Sequence, residues 1–208
     1  MVEIYSQRDN KSIKDKILSL DYVLIFLILL LGIISILAMY STEQGKFGYY
    51  TKSHLSRFFI FFGVFLLVSF FKIQFWFRTA YIFYFLILIL LLFVELYGVT
   101  ASGSKRWINL FFINLQPSEL MKVALIIFLS KYYYKIPSDN VTNFKYLYIP
   151  FFALLVPAYL VATQPDLGTS LLIILGGISV IWLTGFRLKY FLYSSLITIC
   201  LLPVAISL

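Results

Sequence analysis

Residues 22–40 read YVLIFLILLLGIISILAMY and contain no charged side chain. A helix needs about 20 apolar residues to cross the hydrocarbon core of a bilayer, so this run has the length and composition of a membrane span. Similar runs recur along the chain, and we predict about seven spans, at residues 22–40, 55–71, 80–97, 118–133, 146–163, 167–186 and 190–208. The pattern predicts an all-α polytopic membrane protein, with residues 1–21 as a polar N-terminus and residues 22–208 as the transmembrane domain.

The composition excludes several other classes of protein. Of the 208 residues, 62% are hydrophobic and 12% are charged, whereas soluble domains average about 45–50% apolar and about 25% charged residues. The net charge of +8 does not predict a nucleic-acid partner, because the basic residues lie between apolar runs and form no single patch. Cys200 is the one cysteine, so the sequence provides neither an internal disulfide nor a cysteine-based metal site.

The basic residues predict the orientation of the chain in the membrane. Cytoplasmic loops are enriched in Lys and Arg, and eleven of the 17 basic residues fall on one side of the predicted spans, while five fall on the other. The larger set is Arg8, Lys11, Lys14, Lys16, Lys72, Arg78, Lys131, Lys135, Lys145, Arg187 and Lys189. The smaller set is Lys46, Lys52, Arg57, Lys105 and Arg106. We therefore expect the N-terminus and the larger set to be cytoplasmic.

Two similar polar motifs open the fourth and sixth predicted spans. Gln116-Pro117-Ser118-Glu119 precedes one apolar run, and Gln164-Pro165-Asp166-Leu167-Gly168-Thr169 precedes the other. Proline suits the first helical position, where its missing N–H has no partner to lose, and an acid in the first turn favours the positive end of the helix dipole. In the predicted topology both helix starts face outward, where two adjacent N-termini form a donor-rich corner. The motifs are equally accounted for as simple helix caps.

A pair of charged residues at the fourth span gives a second candidate feature. Glu119 and Lys122 are three residues apart on one helix face, which is within pairing distance. Ionisable groups within a membrane span usually face a bundle interior or an aqueous cavity, and they indicate function by default. A structural ion pair that locks two helices is the alternative interpretation.

The polar segment before the fourth span carries adjacent cations and an indole. It reads Ser102-Gly103-Ser104-Lys105-Arg106-Trp107-Ile108 and is expected to be a glycine-loosened outer loop. Its two cations can hold a phosphate, while Trp107 can rest on a sugar face or in the headgroup layer. Contact of this cationic loop with anionic lipid is the alternative.

At these residues the chain resembles a known family of cell-wall proteins. The segments that carry the resemblance are GSKRWI at 103–108, QPSELMK at 116–122 and ATQPDLGTS at 162–170. In this order, and between the expected spans, they are similar to the SEDS family (shape, elongation, division and sporulation), and more to its RodA branch than to FtsW. The family is a bundle of ten helices, so the resemblance implies that this chain holds the N-terminal two thirds and is truncated at its C-terminus.

The resemblance implies a function at the bacterial cytoplasmic (inner) membrane. Family members are peptidoglycan glycosyltransferases that polymerise a lipid II-type, lipid-linked disaccharide-peptide on the outer face of that membrane during cell elongation and control of cell shape. They work with a class B penicillin-binding transpeptidase. The resemblance leaves two alternatives, a flippase for the same lipid and a non-catalytic membrane scaffold for the transpeptidase.

The resemblance also implies roles for particular residues. The catalytic acid of the family lies in a large outer loop after the seventh span, so the catalytic residue is expected beyond Leu208. The residues expected to bind substrate or to line its polar cavity are Lys105, Arg106, Trp107, Gln116, Ser118, Glu119, Lys122, Gln164, Asp166 and Thr169. Lys105 and Arg106 are expected to contact the pyrophosphate, and the two glutamines to fix the helix starts. No cofactor is evident, although Mg²⁺ or Mn²⁺ suits a pyrophosphate leaving group.

Overall fold

The computed structural model describes residues 13–101, 104–109, 114–141 and 143–186. The helices are α1 (Ile13–Leu18), α2 (Tyr22–Thr42), α3 (Tyr49–Ser69), α4 (Ile73–Tyr97), α5 (Pro117–Tyr134), α6 (Tyr148–Thr163) and α7 (Leu167–Leu183). Three strands, β1 (Val99–Ala101), β2 (Ser104–Asn109) and β3 (Asn114–Leu115), lie between α4 and α5, and 3₁₀ turns occupy Ser138–Asn140 and Phe144–Tyr146. The predicted span 190–208 lies outside the described residues.

The helices have the character of membrane spans. Among the described residues, α2, α3 and α4 are long and apolar enough to cross a bilayer, and α6 and α7 are shorter apolar helices. The predicted class, an all-α polytopic membrane fold, is confirmed. Helices α3 and α4 begin at Tyr49 and Ile73, ahead of the predicted apolar runs, because a change from apolar to polar residues does not by itself end a helix.

The chain forms two compact units that divide between Phe75 and Trp76. In the first unit, helices α2 and α3 pack against each other. Gly32 is buried, and a Cβ atom at this position would overlap the ring of Phe58. Below this contact, Ser35 Oγ and His54 Nε2 lie 2.7 Å apart. The missing side chain of Gly32 therefore allows the two helices to approach closely.

Glu43 caps the N-terminus of α3 from the end of α2. Its carboxylate accepts hydrogen bonds from the backbone N–H groups of Tyr50 (3.1 Å) and Thr51 (2.9 Å) and from the Thr51 hydroxyl. These N–H groups have no partner within their own helix. The hydrogen bond from the Thr51 side chain is the largest of the effects that lower the pKa of Glu43.

We predict that this cap gives the first unit a pH-dependent stability. The pKa of Glu43 is lowered in the folded state, so the contact is fully present above the usual glutamate pKa and is lost as the pH falls through the lowered value. Limited proteolysis between α2 and α3, followed from pH 7 to pH 3, measures this opening. Glu43→Gln should already show faster cleavage at pH 7 and should flatten the pH profile. Glu95→Gln is the matched control, and an equal change in that variant would refute the prediction.

The core of the second unit lies between α4, α5, α6 and α7. The buried residues at its centre share an apolar character and come from all four helices: Tyr84, Ile87, Leu91, Met121, Ala124, Leu125, Phe128, Leu129, Ala153, Leu154, Ala158, Val161 and Ile173. Two hydrogen bonds from buried side chains attach α4 and α7 to α6. The Tyr84 hydroxyl donates to the carbonyl of Ala153 at 2.8 Å, and the Ser170 hydroxyl donates to the carbonyl of Ala158 at 2.8 Å.

Helix α7 presents a glycine pair to its neighbours. A Cβ at Gly177 would overlap Leu154 Cδ1 and lie 3.3 Å from Leu125 Cδ2, whereas a Cβ at Gly176 would meet only Ile126 Cδ1 at an ordinary 3.9 Å. Leu154 and Leu125 are 6% and 1% exposed, so they have little room to move. Position 177 therefore requires glycine, because α5, α6 and α7 approach one another closely there.

We predict different effects of alanine at these adjacent positions. Overpacking a core costs about 1–3 kcal/mol, while alanine gains up to about 1 kcal/mol over glycine in a helix. Gly177→Ala should thus lower the free energy of unfolding by about 1–2 kcal/mol, and Gly176→Ala should leave it unchanged or slightly raised. Unfolding of the purified protein in mixed micelles measures both. Equal stability of the two variants would contradict the packing described here.

The segment between α4 and α5 is a small sheet, which the sequence did not predict. Strand β2 is the central strand and pairs antiparallel with β1 and with β3. The prediction of a loop conformation was wrong for residues 104–109, because the ladder hydrogen bonds are supplied by short partner strands with no clear alternating pattern of their own. The sheet holds β2 in a fixed position next to the helix starts.

Candidate functional site

Arg106 sits at an irregular point of strand β2. In the pairing with β1, Val99 lies opposite Trp107 and Thr100 lies opposite Lys105, so Arg106 has no partner in the register. An extra residue of this kind is a β-bulge, which bends the strand and redirects a side chain. The bulge thereby directs the Arg106 side chain away from the regular ladder and toward the start of α7.

The Arg106 guanidinium binds the turn that joins α6 to α7. Its Nε donates to the carbonyl of Gln164 at 3.0 Å, and an Nη2 hydrogen bond reaches the carbonyl of Pro165. Carbonyl groups at a helix C-terminus have no partner within the helix, and a buried carbonyl without a donor is costly. Arg106 supplies these missing donors. Two of the five N–H groups of Arg106 contact neither the turn nor Asp166. The expected contact of Arg106 with a pyrophosphate stays a prediction.

Asp166 connects three elements through one carboxylate. Its Oδ1 accepts from the backbone N–H of Thr169 at 3.1 Å and so caps helix α7. Its Oδ2 accepts from Gln116 Nε2 at 3.1 Å and lies 3.6 Å from Arg106 Nη1. The side chain of Asp166 is 13% exposed and that of Arg106 is 28% exposed, so this ion pair is partly shielded from solvent.

The two Gln-Pro motifs start their helices in different ways. Pro117 is the first residue of α5, as predicted, and Gln116 is the N-cap residue, although its side chain binds Asp166 and does not cap its own helix. The prediction for Pro165 was wrong, since Asp166 is the N-cap of α7 and Pro165 precedes it. Asp166 takes the N-cap position because its carboxylate can accept a hydrogen bond from a backbone N–H group of the first turn, which a proline side chain cannot do. The two helix starts nevertheless lie side by side, as expected, joined by the Gln116–Asp166 hydrogen bond.

Gln164 anchors the same turn to the core. It is 4% exposed, and its Nε2 lies 3.4 Å from the carbonyl of Leu91 on α4. The Ser170 hydroxyl likewise attaches α7 to α6 through the carbonyl of Ala158. Leu91 and Ser170 thus help to hold the site in place, and neither was among the residues predicted from the sequence. The only available signal was for Ser170, which closes the ATQPDLGTS segment. A backbone acceptor such as the Leu91 carbonyl has no sequence signal.

The remaining predicted residues lie around this cluster. Ser118 and Thr169 are buried, at 2% and 8% exposure, in the first turns of α5 and α7. Lys105 is exposed and Trp107 is half-buried on β2. An exposed lysine beside a buried polar cluster is able to bind an anion.

Glu119 and Lys122 form a separate pair. The Lys122 Nζ donates to both carboxylate oxygens of Glu119 at 2.9 Å, which confirms the predicted pairing distance. Their side chains are 54% and 26% exposed, and within the described ranges this ion pair joins neither Arg106 nor Asp166. The pair lies on one helix, so the alternative in which it locks two helices is not what the structure forms.

The described residues contain no group of three or more His, Cys, Asp and Glu side chains that could hold a metal ion. Arg106 is the cationic group that contacts the start of α7, and Lys105 is its neighbour on β2. The arrangement can bind an anionic group by charge and hydrogen bonding, with Asp166 and Gln116 holding the geometry. Binding of a divalent cation together with a substrate stays a prediction.

Comparison with known families defines the class of this protein. Residues 18–208 match the family of cell cycle proteins that includes FtsW, RodA and SpoVE. The chain belongs to this family, and the resemblance to SEDS proteins is thereby confirmed. With its membrane-spanning helices, it is a multi-pass membrane protein of a bacterial family.

Three curated relatives illustrate the match. A probable peptidoglycan glycosyltransferase FtsW of Buchnera aphidicola subsp. Baizongia pistaciae is 31% identical over 151 residues, covering 73% of this chain and 40% of the relative. Stage V sporulation protein E of Bacillus subtilis is 30% identical over 192 residues, covering 85% and 51%. Peptidoglycan glycosyltransferase MrdB of Escherichia coli K12 is 34% identical over 102 residues, covering 49% and 27%. The chain thus spans about half or less of the length of these relatives.

Solved structures show the same fold. A chain from a peptidoglycan synthase complex that coordinates polymerization and crosslinking superimposes with a TM-score of 0.80 at 24% identity, covering 91% of this chain and 55% of that chain. The rod shape determining protein RodA of Thermus thermophilus gives a TM-score of 0.70 at 23% identity, covering 89% and 60%. At these identities the likeness establishes the polytopic fold.

We predict that the Asp166 carboxylate stabilises the second unit much more than the Glu119 carboxylate does. Asp166→Ala removes a helix cap, the acceptor of Gln116 and the ion-pair partner of Arg106, so the free energy of unfolding should fall by about 2–4 kcal/mol. Glu119→Ala removes an exposed pair on one helix and should cost about 0.5 kcal/mol or less. Unfolding in mixed micelles compares the two variants. Similar losses would show that Asp166 does not hold the three elements together.

Proposed function

We propose that this protein is a peptidoglycan glycosyltransferase of the SEDS type, which polymerises a lipid-linked disaccharide-peptide at the outer face of the bacterial inner membrane. The observation that carries the proposal is that Arg106, Gln116, Gln164 and Asp166, from the three segments on which the resemblance to the family rests, form one cluster in the structure. Relatives named peptidoglycan glycosyltransferase support the reaction class. In this proposal the N-terminus is cytoplasmic and the helix starts of α5 and α7 face outward.

The contacts of Asp166 favour a positioning role in this reaction. A general base needs a carboxylate oxygen that is able to take a proton from the acceptor hydroxyl. One oxygen of Asp166 caps α7 and the other binds Gln116 and Arg106. We therefore assign no described residue as the base, and we place it in the outer loop that follows the seventh span in the family.

Lys105 is the residue that we propose for direct contact with the pyrophosphate of the lipid-linked substrate. It is exposed and adjacent to Arg106, whose attachment to the α6–α7 turn fixes the position of strand β2. Strand β2 contacts α5, so Lys105 lies on an element that is attached to both helix starts, where anions are favoured. A divalent cation, Mg²⁺ or Mn²⁺, would neutralise the leaving pyrophosphate if the reaction requires one.

We propose a class B penicillin-binding transpeptidase as the partner and cell elongation as the process. The fold is shared with a chain of a peptidoglycan synthase complex that coordinates polymerization and crosslinking, which supports a crosslinking partner. Depletion of this protein in its native cell should produce round cells if it acts in elongation. Filamentous cells would place it in division and would overturn this part of the proposal.

The decisive experiment measures polymer formation by the protein as its native cell makes it. The purified protein is combined in lipid vesicles with a class B transpeptidase and lipid-linked disaccharide-peptide, and glycan strands are separated on a gel. We expect polymer from the unsubstituted protein. Arg106→Lys should lower the rate about tenfold or more, because an ammonium cannot bind two carbonyls and a carboxylate in the planar arrangement of a guanidinium.

Lys52→Gln is the matched control for this assay. Lys52 is an exposed basic residue in the other compact unit, so its loss should leave the rate unchanged. Absence of polymer, together with transbilayer movement of a fluorescent lipid-linked substrate, would replace the proposal with the flippase alternative. Absence of both activities with retention of the transpeptidase would replace it with the scaffold alternative.

A further inference from the structure

The second unit carries a basic and aromatic cluster at the end opposite to the helix starts. Lys131 and Lys135, at the C-terminal end of α5, place their Nζ atoms 4.5 Å and 5.6 Å from the ring centroid of Tyr81 on α4. Lys131 Nζ also donates to the carbonyl of Arg78 at 2.8 Å and lies 5.7 Å from the centroid of the Phe77 ring. Two cations are thus held at one aromatic ring.

The charges in this cluster are not neutralised by acidic side chains. Across the described ranges, neither Lys131 nor Lys135 nor Arg78 has a carboxylate partner. A cation–π contact fixes the position of an ammonium group, but it leaves the positive charge in place. Arg78 and Lys135 are exposed. The cluster is therefore a preformed positive site that is open to an anion.

An apolar groove begins at the same tyrosine. It runs along α4, has a volume of about 510 Å³, and is lined by Tyr81, Ile82, Phe85, Leu86, Ile89 and Leu90. The Phe128 ring of α5 packs against Tyr81 and Phe85 with centroid distances of 5.1 Å and 6.4 Å. These contacts hold the two aromatic rings that line the groove. Because α4 rises about 1.5 Å per residue, the groove from Tyr81 to Leu90 is about 13 Å long. This length approaches the roughly 15 Å of hydrocarbon in one leaflet.

We propose that the basic cluster and this groove together bind one anionic phospholipid. The phosphate of its headgroup lies between Lys131, Lys135 and Arg78, and one acyl chain lies in the groove below Tyr81. The positive charge at one end and the apolar surface beyond it match the two parts of such a lipid in position and in length. Basic pockets between membrane helices are known to bind anionic headgroups in this way. The site is separate from the proposed glycosyltransferase site, and its lipid is a structural ligand and not a substrate.

Native mass spectrometry of the purified full chain tests the proposal. The protein is delipidated in detergent and titrated with phosphatidylglycerol or with phosphatidylethanolamine. We expect one phosphatidylglycerol to be retained in preference to phosphatidylethanolamine. Lys131→Gln/Lys135→Gln should weaken that binding about tenfold or more, since each basic residue near an anionic lipid contributes a several-fold gain in affinity. Thermal unfolding verifies that the variant is folded.

Two further variants separate this site from general attraction of lipid to a basic protein. Lys14→Gln/Lys16→Gln on α1 removes the same charge elsewhere and should keep the bound phosphatidylglycerol. Ile89→Trp fills the groove, which is lined in part by the 65% exposed Ile89 side chain, and should release the lipid without any change of charge. The proposal is overturned by equal losses in the two lysine double variants, by retention in Ile89→Trp, or by equal binding of the two lipids.

Discussion

The carboxylate of Asp166 makes the contacts on which the starts of α5 and α7 in the second unit depend. One oxygen caps helix α7, and the other accepts from Gln116 at the start of α5 while lying 3.6 Å from the guanidinium of Arg106. Two helices and one strand therefore share a single anionic group. The partly shielded carboxylate is stabilised there by hydrogen bonds from Thr169 and Gln116 and by its ion pair with Arg106.

Partial burial of the turn between α6 and α7 explains why the site needs this arrangement. Where a chain ends one helix and begins another, its carbonyl and N–H groups lose their helical partners, and buried groups of this kind are costly without a new partner. Arg106 supplies donors to the carbonyls of Gln164 and Pro165, while Asp166 accepts the N–H of Thr169. The residues that complete the turn between α6 and α7 are thus the same residues that build the candidate site, so the fold and the proposed function depend on one set of contacts.

The two ends of the second unit use positive charge differently. At the helix starts, Arg106 is paired with Asp166 and serves the fold. At the other end, Lys131 and Lys135 rest on the face of Tyr81, which holds them in place without cancelling their charge. The paired charge of Arg106 suits a positioning role in a polar cluster. The charges of Lys131 and Lys135, which no carboxylate of the described residues neutralises, lie at the end of an apolar groove and suit an anionic lipid. Both features are compatible with a protein that acts on lipid-linked substrates.

Apolar runs of membrane length and Gln-Pro-acid motifs are local patterns, so they were enough to predict the class of fold and to single out Gln116, Gln164 and Asp166 as candidate residues. The sequence also placed Glu119 and Lys122 at pairing distance, since helical spacing is regular. Three features depend on the tertiary contacts: Asp166 is the N-cap of α7 and Pro165 lies before the helix, a bulge in β2 brings Arg106 to the α6–α7 turn, and Gln164 reaches the carbonyl of Leu91. These contacts join residues far apart in the chain, and their acceptors include backbone carbonyls that every residue possesses, so no sequence pattern marks them.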